Sequence, residues 1–430
     1  MQLLALTAAT LITSILVQSH PGHDIKQEAE RRSQLLGNSK RDISHCAAKL
    51  QARGTERRTI ERRSAILRAE REKRGLPTDP SFIRARGTET LIDTRDVPKV
   101  LNISHLSDVT YTPHDPFSTI FAGNKSCILV PEATEGPFYV TGELIRSDVR
   151  EAQTGVDLVI DVQVIDVSTC EPASNVMIDF WHANSTGVYS GVVSPGNGDM
   201  SVASNINTTF HRGLQATDSE GVVQFTTLYP GHYIGRTQHI HVASHVNGTI
   251  LPNHTFQGST ISHIGQVYFD QSLSELVEAT SPYKTNTQAV TKNTDDWILI
   301  GETAVGDPIV EYSLLGKNVS DGIFAWIAFG INGTRNGTIQ AAASYGADGG
   351  KANPNMMCGP PPGGFPSGFP TSGLPSGFPT GLPSGFPTGG FPGCATANVS
   401  STILPTSSSS VGVGTHTATG ETSKKTVGTN

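Results

Sequence analysis

LVIDVQVIDV, Leu158 to Val167, reads as a β-strand: its β-branched residues dominate, and its outer part alternates apolar with polar side chains. Shorter runs of the same texture follow. They are VMIDFW (Val176 to Trp181), VVQFTT (Val222 to Thr227), HIHVA (His239 to Ala243), IGQVYFD (Ile264 to Asp270) and WILI (Trp297 to Ile300). Turn residues separate them. Many short strands with turns between them define a mainly β chain folded as a β-sandwich or barrel. The texture begins near Pro113 and ends near Gly346, so residues 113–346 are read as a β-sandwich domain.

The flanking regions differ in kind. Residues 1–19 form one apolar run ending in small and polar residues, expected to be a signal peptide cleaved near Ser19, with no membrane segment left after its removal; an uncleaved anchor is the alternative, since the run lacks a basic start. Ten N-x-S/T sequons (Asn102, Asn124, Asn184, Asn207, Asn247, Asn253, Asn318, Asn332, Asn336, Asn398) agree with a secreted, glycosylated chain. Residues 20–112 form a helical N-terminal segment and linker. Between Ile25 and Arg74 the helical spacing is clear, with Gly54 and Gly75 ending two helices. Leu35, Leu36, Ile43, Cys46 and Leu50 make one stripe; Ile60, Ile66 and Leu67 make another. This segment is basic, yet the whole chain carries a net charge of −7, which gives no nucleic-acid footprint. The expectation is a helical hairpin packed on the main domain or on a second copy, which would make a homodimer. Lys40-Arg41 is a candidate processing site.

Five cysteines in an oxidising compartment leave one unpaired; the expected pairs are Cys127 with Cys170 and Cys358 with Cys394, with Cys46 left over. Residues 347–430 are low in complexity. A near S-G-F-P-T unit repeats from Gly363 to Gly393, and a Ser/Thr-rich stretch follows from Ser400. Pro and Gly at this density preclude a packed core, so the tail is read as a tether or spacer, extracellular or wall-associated. It ends without the hydrophobic stretch a lipid anchor needs.

The chemistry concentrates in PGHYIGRTQHIHV, Pro230 to Val242. His239 and His241 are two apart, so on a strand both leave the same face and can meet one metal ion. Tyr233 and Arg236 reach the same point if the chain turns at Gly231 or Gly235. An H-x-H pair by itself is weak evidence, since polar strand faces produce it by chance. A second cluster, DFWHANSTGVYS (Asp179 to Ser190), runs a strand into a turn that presents Tyr189. Two tyrosines and two histidines suit a hard trivalent metal, because phenolate oxygen is a strong donor to Fe(III). Zinc more usually recruits His with Cys or a carboxylate. His182 and His232 read as structural or as supports behind the ligands, Trp181 as core, Arg212 and Asp218 as a polar contact beneath the site, and Glu135 and Tyr139 as residues of a pocket entrance.

Four ordered motifs carry a resemblance: E-G-P-F-Y (Glu135 to Tyr139), D-F-W-H-A-N-x-x-G-x-Y-S, F-x-R-G-x-Q-x-T-D-x-x-G (Phe210 to Gly221) and P-x-x-Y-x-x-R-x-x-H-I-H. Together they resemble the intradiol ring-cleavage dioxygenases, most of all the secreted fungal branch, whose core looks like the protocatechuate 3,4-dioxygenase β-chain. The resemblance covers about Cys127 to Phe269 and, more loosely, runs on to about Gly330. It implies an Fe(III) site with Tyr189, Tyr233, His239 and His241 as ligands and no organic cofactor. It implies a catechol-type phenol and O2 as small-molecule partners. Tyr233 would be displaced by substrate and help to accept its proton, while Arg236 would stabilise developing negative charge. The connection from Tyr233 to His239 is shorter than in bacterial members, which implies a more open site. A non-catalytic extracellular β-sandwich binding module is the competing class; a hydrolase lacks support, since no G-x-S-x-G is present.

Overall fold

The structure is a computed structural model that describes residues 43–78, 100–101, 103–106, 127–128, 136–193, 202–303 and 306–354. The expected signal peptide, Lys40-Arg41, Leu35, Leu36, Glu135, Cys358, Cys394 and the repeat tail lie outside those residues. Among the described residues no helix is long and apolar enough to cross a membrane.

In chain order the principal elements are α1 (Ala47–Ala52), α2 (Thr55–Lys73), β1 (Cys127–Ile128), β2 (Val140–Thr141), β3 (Asp157–Asp166), β4 (Glu171–Pro172), β5 (Met177–Trp181), β6 (Arg212–Ala216), β7 (Val222–Leu228), β8 (His239–Ile250) and β9 (Phe256–Tyr268). There follow α3 (Gln271–Glu278), α4 (Trp297–Thr303), β10 (Glu311–Leu314), β11 (Ile323–Ile331), β12 (Gly337–Thr338), β13 (Ala343–Gly346) and β14 (Gly349–Ala352). The last hairpin carries the ordered chain past Gly346.

Two sheets face each other. One runs β1-β11-β3-β4, with β10 on β11 and β7 on β3; the other runs β12-β9-β8-β5-β6. β3 pairs with β11 in parallel and with β7 antiparallel, so it is central and flanked on both edges. Alternate residues of β3 (Leu158, Ile160, Val162, Val164) enter one buried cluster with Ile178 and Phe180 of β5, Ile240 and Val242 of β8, and Val267 of β9. Side chains of both sheets therefore share one core, which defines a β-sandwich.

The opposite face of β3 meets the N-terminal helices. Val159 packs with Phe324, Trp326, Ile66 and Leu67, and Ile165 packs with Ile43, Cys46 and Leu50. Ile43, Cys46 and Leu50 of the first expected stripe and Ile66 and Leu67 of the second thus close on the domain itself. The basic residues of α2 find acids there: Arg62 and Arg63 both pair with Asp161, and Arg58 with Glu220. Gly54, with φ 66°, breaks α1 from α2.

Two expectations are corrected. Trp297 to Ile300 is helical, because Asp296 accepts the backbone N–H groups of Ile298 and Leu299 and so satisfies donors of the first turn. A four-residue apolar run fits a helix or a strand equally, and only its cap decides. Cys170 pairs with Cys46, not Cys127: the two Cα atoms are 5.1 Å apart because the first helix packs against the end of β3. His45 lies beside this disulfide, but both sulfurs are spent in it and offer no thiolate to a metal.

Candidate metal centre and active site

The second sheet sets the site by register. Across it, Arg212, Trp181, His241 and Gln266 stand in one row, and His239 stands opposite Tyr268 in the next. Directly opposed residues share a face, so both histidines, Trp181, Gln266 and Tyr268 project to the same side.

Tyr189 arrives from the loop after β5. Asn184 shapes that loop: its Oδ1 accepts from the backbone N–H groups of Thr186 and Val188 at 3.0 and 3.1 Å. Tyr233 comes from the downstream cluster, and two glycines let the clusters touch. A Cβ on Gly187, whose φ is 83°, would lie 2.2 Å from the His232 carbonyl oxygen, and one on Gly231 would lie 2.5 Å from that of Asn184. Gly231 thus serves close approach. The turn itself is closed at Gly235, where the Arg236 N–H donates to Tyr233 O at 3.2 Å.

The donor atoms converge on one nitrogen. Tyr189 Oη, Tyr233 Oη and His241 Nε2 lie 3.2, 3.3 and 3.2 Å from His239 Nε2, and Arg236 Nη1 lies 3.4 Å from it. His239 Nδ1 is 2.6 Å from the Thr237 carbonyl oxygen, which can only accept. Nδ1 therefore carries the proton, and Nε2 presents a lone pair to the two phenols and the second imidazole. All five side chains are at most 2 % exposed.

Burial drives the Tyr189 hydroxyl well above its ordinary pKa and raises that of Tyr233 as well. Burial would also strip the charge from Arg236, but Asp296, Tyr268 and Tyr233 outweigh it and hold the guanidinium protonated. Two phenols in such a place ionise only against added positive charge. Two phenol oxygens and two imidazole nitrogens around one point, with a histidine tautomer fixed by a backbone carbonyl, fit a hard trivalent cation.

Aromatic rings wall the cluster. Phe138 stacks on Tyr189 at 4.3 Å and Trp181 on His241 at 4.9 Å. Trp181 is buried, as expected of a core residue. His182 and His232 are structural: His182 bonds Ala183 O and Thr227 Oγ1, and His232 bonds Glu278 and Gln288 O.

Arg212 and Asp218 do not form the expected contact. Arg212 donates to Phe138 O and to Ser190 O, at 2.6 and 2.7 Å from Nη2, and so ties down the ring that stacks on Tyr189. Asp218 instead accepts the N–H groups of Glu220 and Val222 in the turn before β7. Tyr139 is buried against Trp181 and lines no entrance. Sequence reading missed Gln266, Tyr268 and Asp296, which all contact Arg236. The first two stand opposite the histidines in the β8–β9 hairpin, and the register of that hairpin was the one available signal.

The family model Dioxygenase matches residues 134–293. An intradiol ring-cleavage dioxygenase from Tetranychus urticae is 30% identical, over 49% of this chain and 97% of that one, with a TM-score of 0.40. The dioxygenase domain of a dioxygenase carbohydrate-binding protein fusion from Streptomyces sp. SirexAA-E is 24% identical over 46% and 96%, with a TM-score of 0.28. Catechol 1,2-dioxygenase from Pseudomonas arvilla C-1 is 17% identical over 48% and 62%, with a TM-score of 0.27. The search of curated proteins returned no match. On the sequence identity to the Tetranychus protein and its coverage, the chain belongs to the intradiol ring-cleavage dioxygenases, a family of oxidoreductases.

Proposed function

We propose that this chain is a secreted non-haem Fe(III) enzyme that opens catechol-type rings between their two hydroxyl-bearing carbons with O2, giving muconate-type diacids. The supporting observation is the convergence of Tyr189, Tyr233 and His241 on the unprotonated Nε2 of His239. These four residues would hold the iron. When bound, Fe(III) supplies Lewis acidity toward a chelating catecholate. The chain supplies the rest. Tyr189 and His241 are pinned under Phe138 and Trp181, which keep water away from them. Tyr233 sits on a tight turn beside the exposed Ile234, so it is the donor best placed to yield and to take a substrate proton at its Oη. Arg236, charged in a dry site, faces the same point and stabilises negative charge there.

Colour tests the reading. Tyrosinate on Fe(III) absorbs visible light, so the iron-loaded protein should be coloured, and Tyr189→Phe should weaken and shift the absorption band, leaving that of Tyr233, and lose ring cleavage. A colourless iron-replete protein refutes it, and so does activity retained in Tyr189→Phe. Oxygen uptake on catechol, hydroxyquinol and protocatechuate would identify the substrate. Secretion rests on the N-terminal apolar run and the sequons, several of which (Asn207, Asn247, Asn253, Asn318, Asn336) are exposed; a mass decrease on glycosidase treatment of the secreted protein is the expected result. A second copy of the chain would dock on the outer face of α2, since the inner face is occupied by the chain's own core.

A further inference from the structure

We propose that Asp296 is the positioning residue of this site, a single carboxylate that aims Arg236 at the donor cluster and holds the backbone that fixes the His239 tautomer. The inference rests on the roles proposed above for Arg236 and His239, and goes beyond them to a residue outside all four sequence motifs.

Asp296 is fully buried, and its two oxygens divide the work. Oδ1 accepts the N–H groups of Ile298 and Leu299 at 2.9 and 3.1 Å, which ties it to the first turn of α4. Oδ2 accepts Arg236 Nε at 2.9 Å and the Thr237 N–H at 3.0 Å. Four donors on one carboxylate fill its acceptor capacity and leave it a single orientation.

The consequence for Arg236 is geometric. Nε is held by Asp296, while Nη2 donates to Gln266 Oε1 and to Tyr268 Oη. A planar fork with two corners fixed has no rotation left, so Nη1 points at the donor cluster, 3.4 Å from His239 Nε2. The consequence for His239 runs through Thr237. Asp296 holds the Thr237 N–H, Asn293 accepts from Thr237 Oγ1 at 2.6 Å, and the Thr237 carbonyl is then in place to accept from His239 Nδ1. One carboxylate thus orients the charge-stabilising arginine and, through one residue of backbone, a proposed ligand.

The test is Asp296→Asn in the iron-loaded full chain. The expected result is unchanged iron content and visible absorption, with kcat lowered ~10–100-fold and KM changed less than kcat. In the Arg236→Gln/Asp296→Asn double variant the two losses should combine to less than their product, because part of the Asp296→Asn effect runs through Arg236. Wild-type kcat in Asp296→Asn overturns the proposal. So do effects that multiply in full in the double variant.

A second readout needs no turnover. In metal-free protein labelled with ¹⁵N-arginine, the Arg236 Nε–H signal should exchange slowly with solvent in the wild type and quickly in Asp296→Asn; equal exchange overturns the proposal. If Asp296→Asn does not fold, Asp296→Glu is read instead, with lowered kcat at full iron content expected and wild-type kcat overturning. A wild-type enzyme that opens no catechol would sink the functional reading alone, and the exchange measurement would still decide the role of Asp296.

Discussion

Gly187 shows how much of the site hangs on one residue. Its φ of 83° and the His232 carbonyl 2.2 Å from any added Cβ leave no room for a side chain. Gly187→Ala should destabilise the fold by at least ~1 kcal/mol and release Tyr189 from Tyr233. Denaturant melts and iron retention measure the two effects. Glu143 gives a pH prediction. It is buried, neither oxygen has a hydrogen-bond partner among the described residues, and Arg212 Nε is 3.6 Å away. Burial, partly offset by Arg212 and reinforced by Asp179, pushes its carboxyl from 4.5 up to about 8. A folded pKa raised above the unfolded one means the native state binds the proton more tightly. Stability is therefore full at low pH and is lost as pH rises from the ordinary carboxylate range through about 8. Glu143→Gln should remove that slope, so the variant melts higher than the wild type at pH 8 and above. Parallel slopes in melting temperature against pH would contradict this. The donor residues were legible because their motifs are local and ordered. Tyr139 and Arg212 were misplaced because their contacts depend on how distant strands align.

Between elements, the docking of α2 on the outer face of β3 combines apolar packing with buried charge. Asp161 lies at its centre, with Arg62 Nε and Arg63 Nε each 2.9 Å from the carboxylate. Burial would raise the Asp161 pKa, but Arg63 and Arg62 outweigh it and hold the carboxyl below its usual range. The stability it supplies is present above the unfolded carboxylate pKa and is lost as pH falls through the depressed folded value. Asp161→Ala leaves two guanidinium groups facing an empty acceptor under a helix and should cost about 3–5 kcal/mol in chemical denaturation. Replacing all three residues with apolar side chains should recover most of that loss. The strand was legible from its alternation, and the helix from its spacing. Their docking was not, because the partners are about a hundred positions apart. Asp161 and Gln163 carry the same pattern whether they face water or a helix. Only the excess of arginine in α2 hinted that acids elsewhere were waiting for it.

At the scale of the whole molecule, the sandwich was legible from its short strands, but strand order was not. β3 and β11 pair in parallel although more than a hundred and fifty residues separate them, a distance over which sequence pattern carries no pairing information. The Cys46–Cys170 bond was missed for the same reason. It joins positions 124 residues apart, whereas the expected pair flanked the first strands of the domain. Its position makes a direct prediction. The bond closes a loop that contains α1, α2, the linker and β3, and it staples the cluster of Ile43, Leu50, Ile165 and Val167. By loop-closure entropy a bond of this span contributes up to ~4–5 kcal/mol. Cys46→Ser should therefore melt well below the wild type in non-reducing buffer, and reductant should bring the wild type down to the variant's level. Cys127→Ser should leave the reductant effect intact. A reductant effect that disappears in Cys127→Ser but persists in Cys46→Ser would restore the pairing with Cys127. The donor cluster belongs to the other sheet, so Cys46→Ser should keep its iron and its kcat at temperatures below its own melting point. Loss of activity there would mean that the N-terminal helices reach the site through the sandwich core.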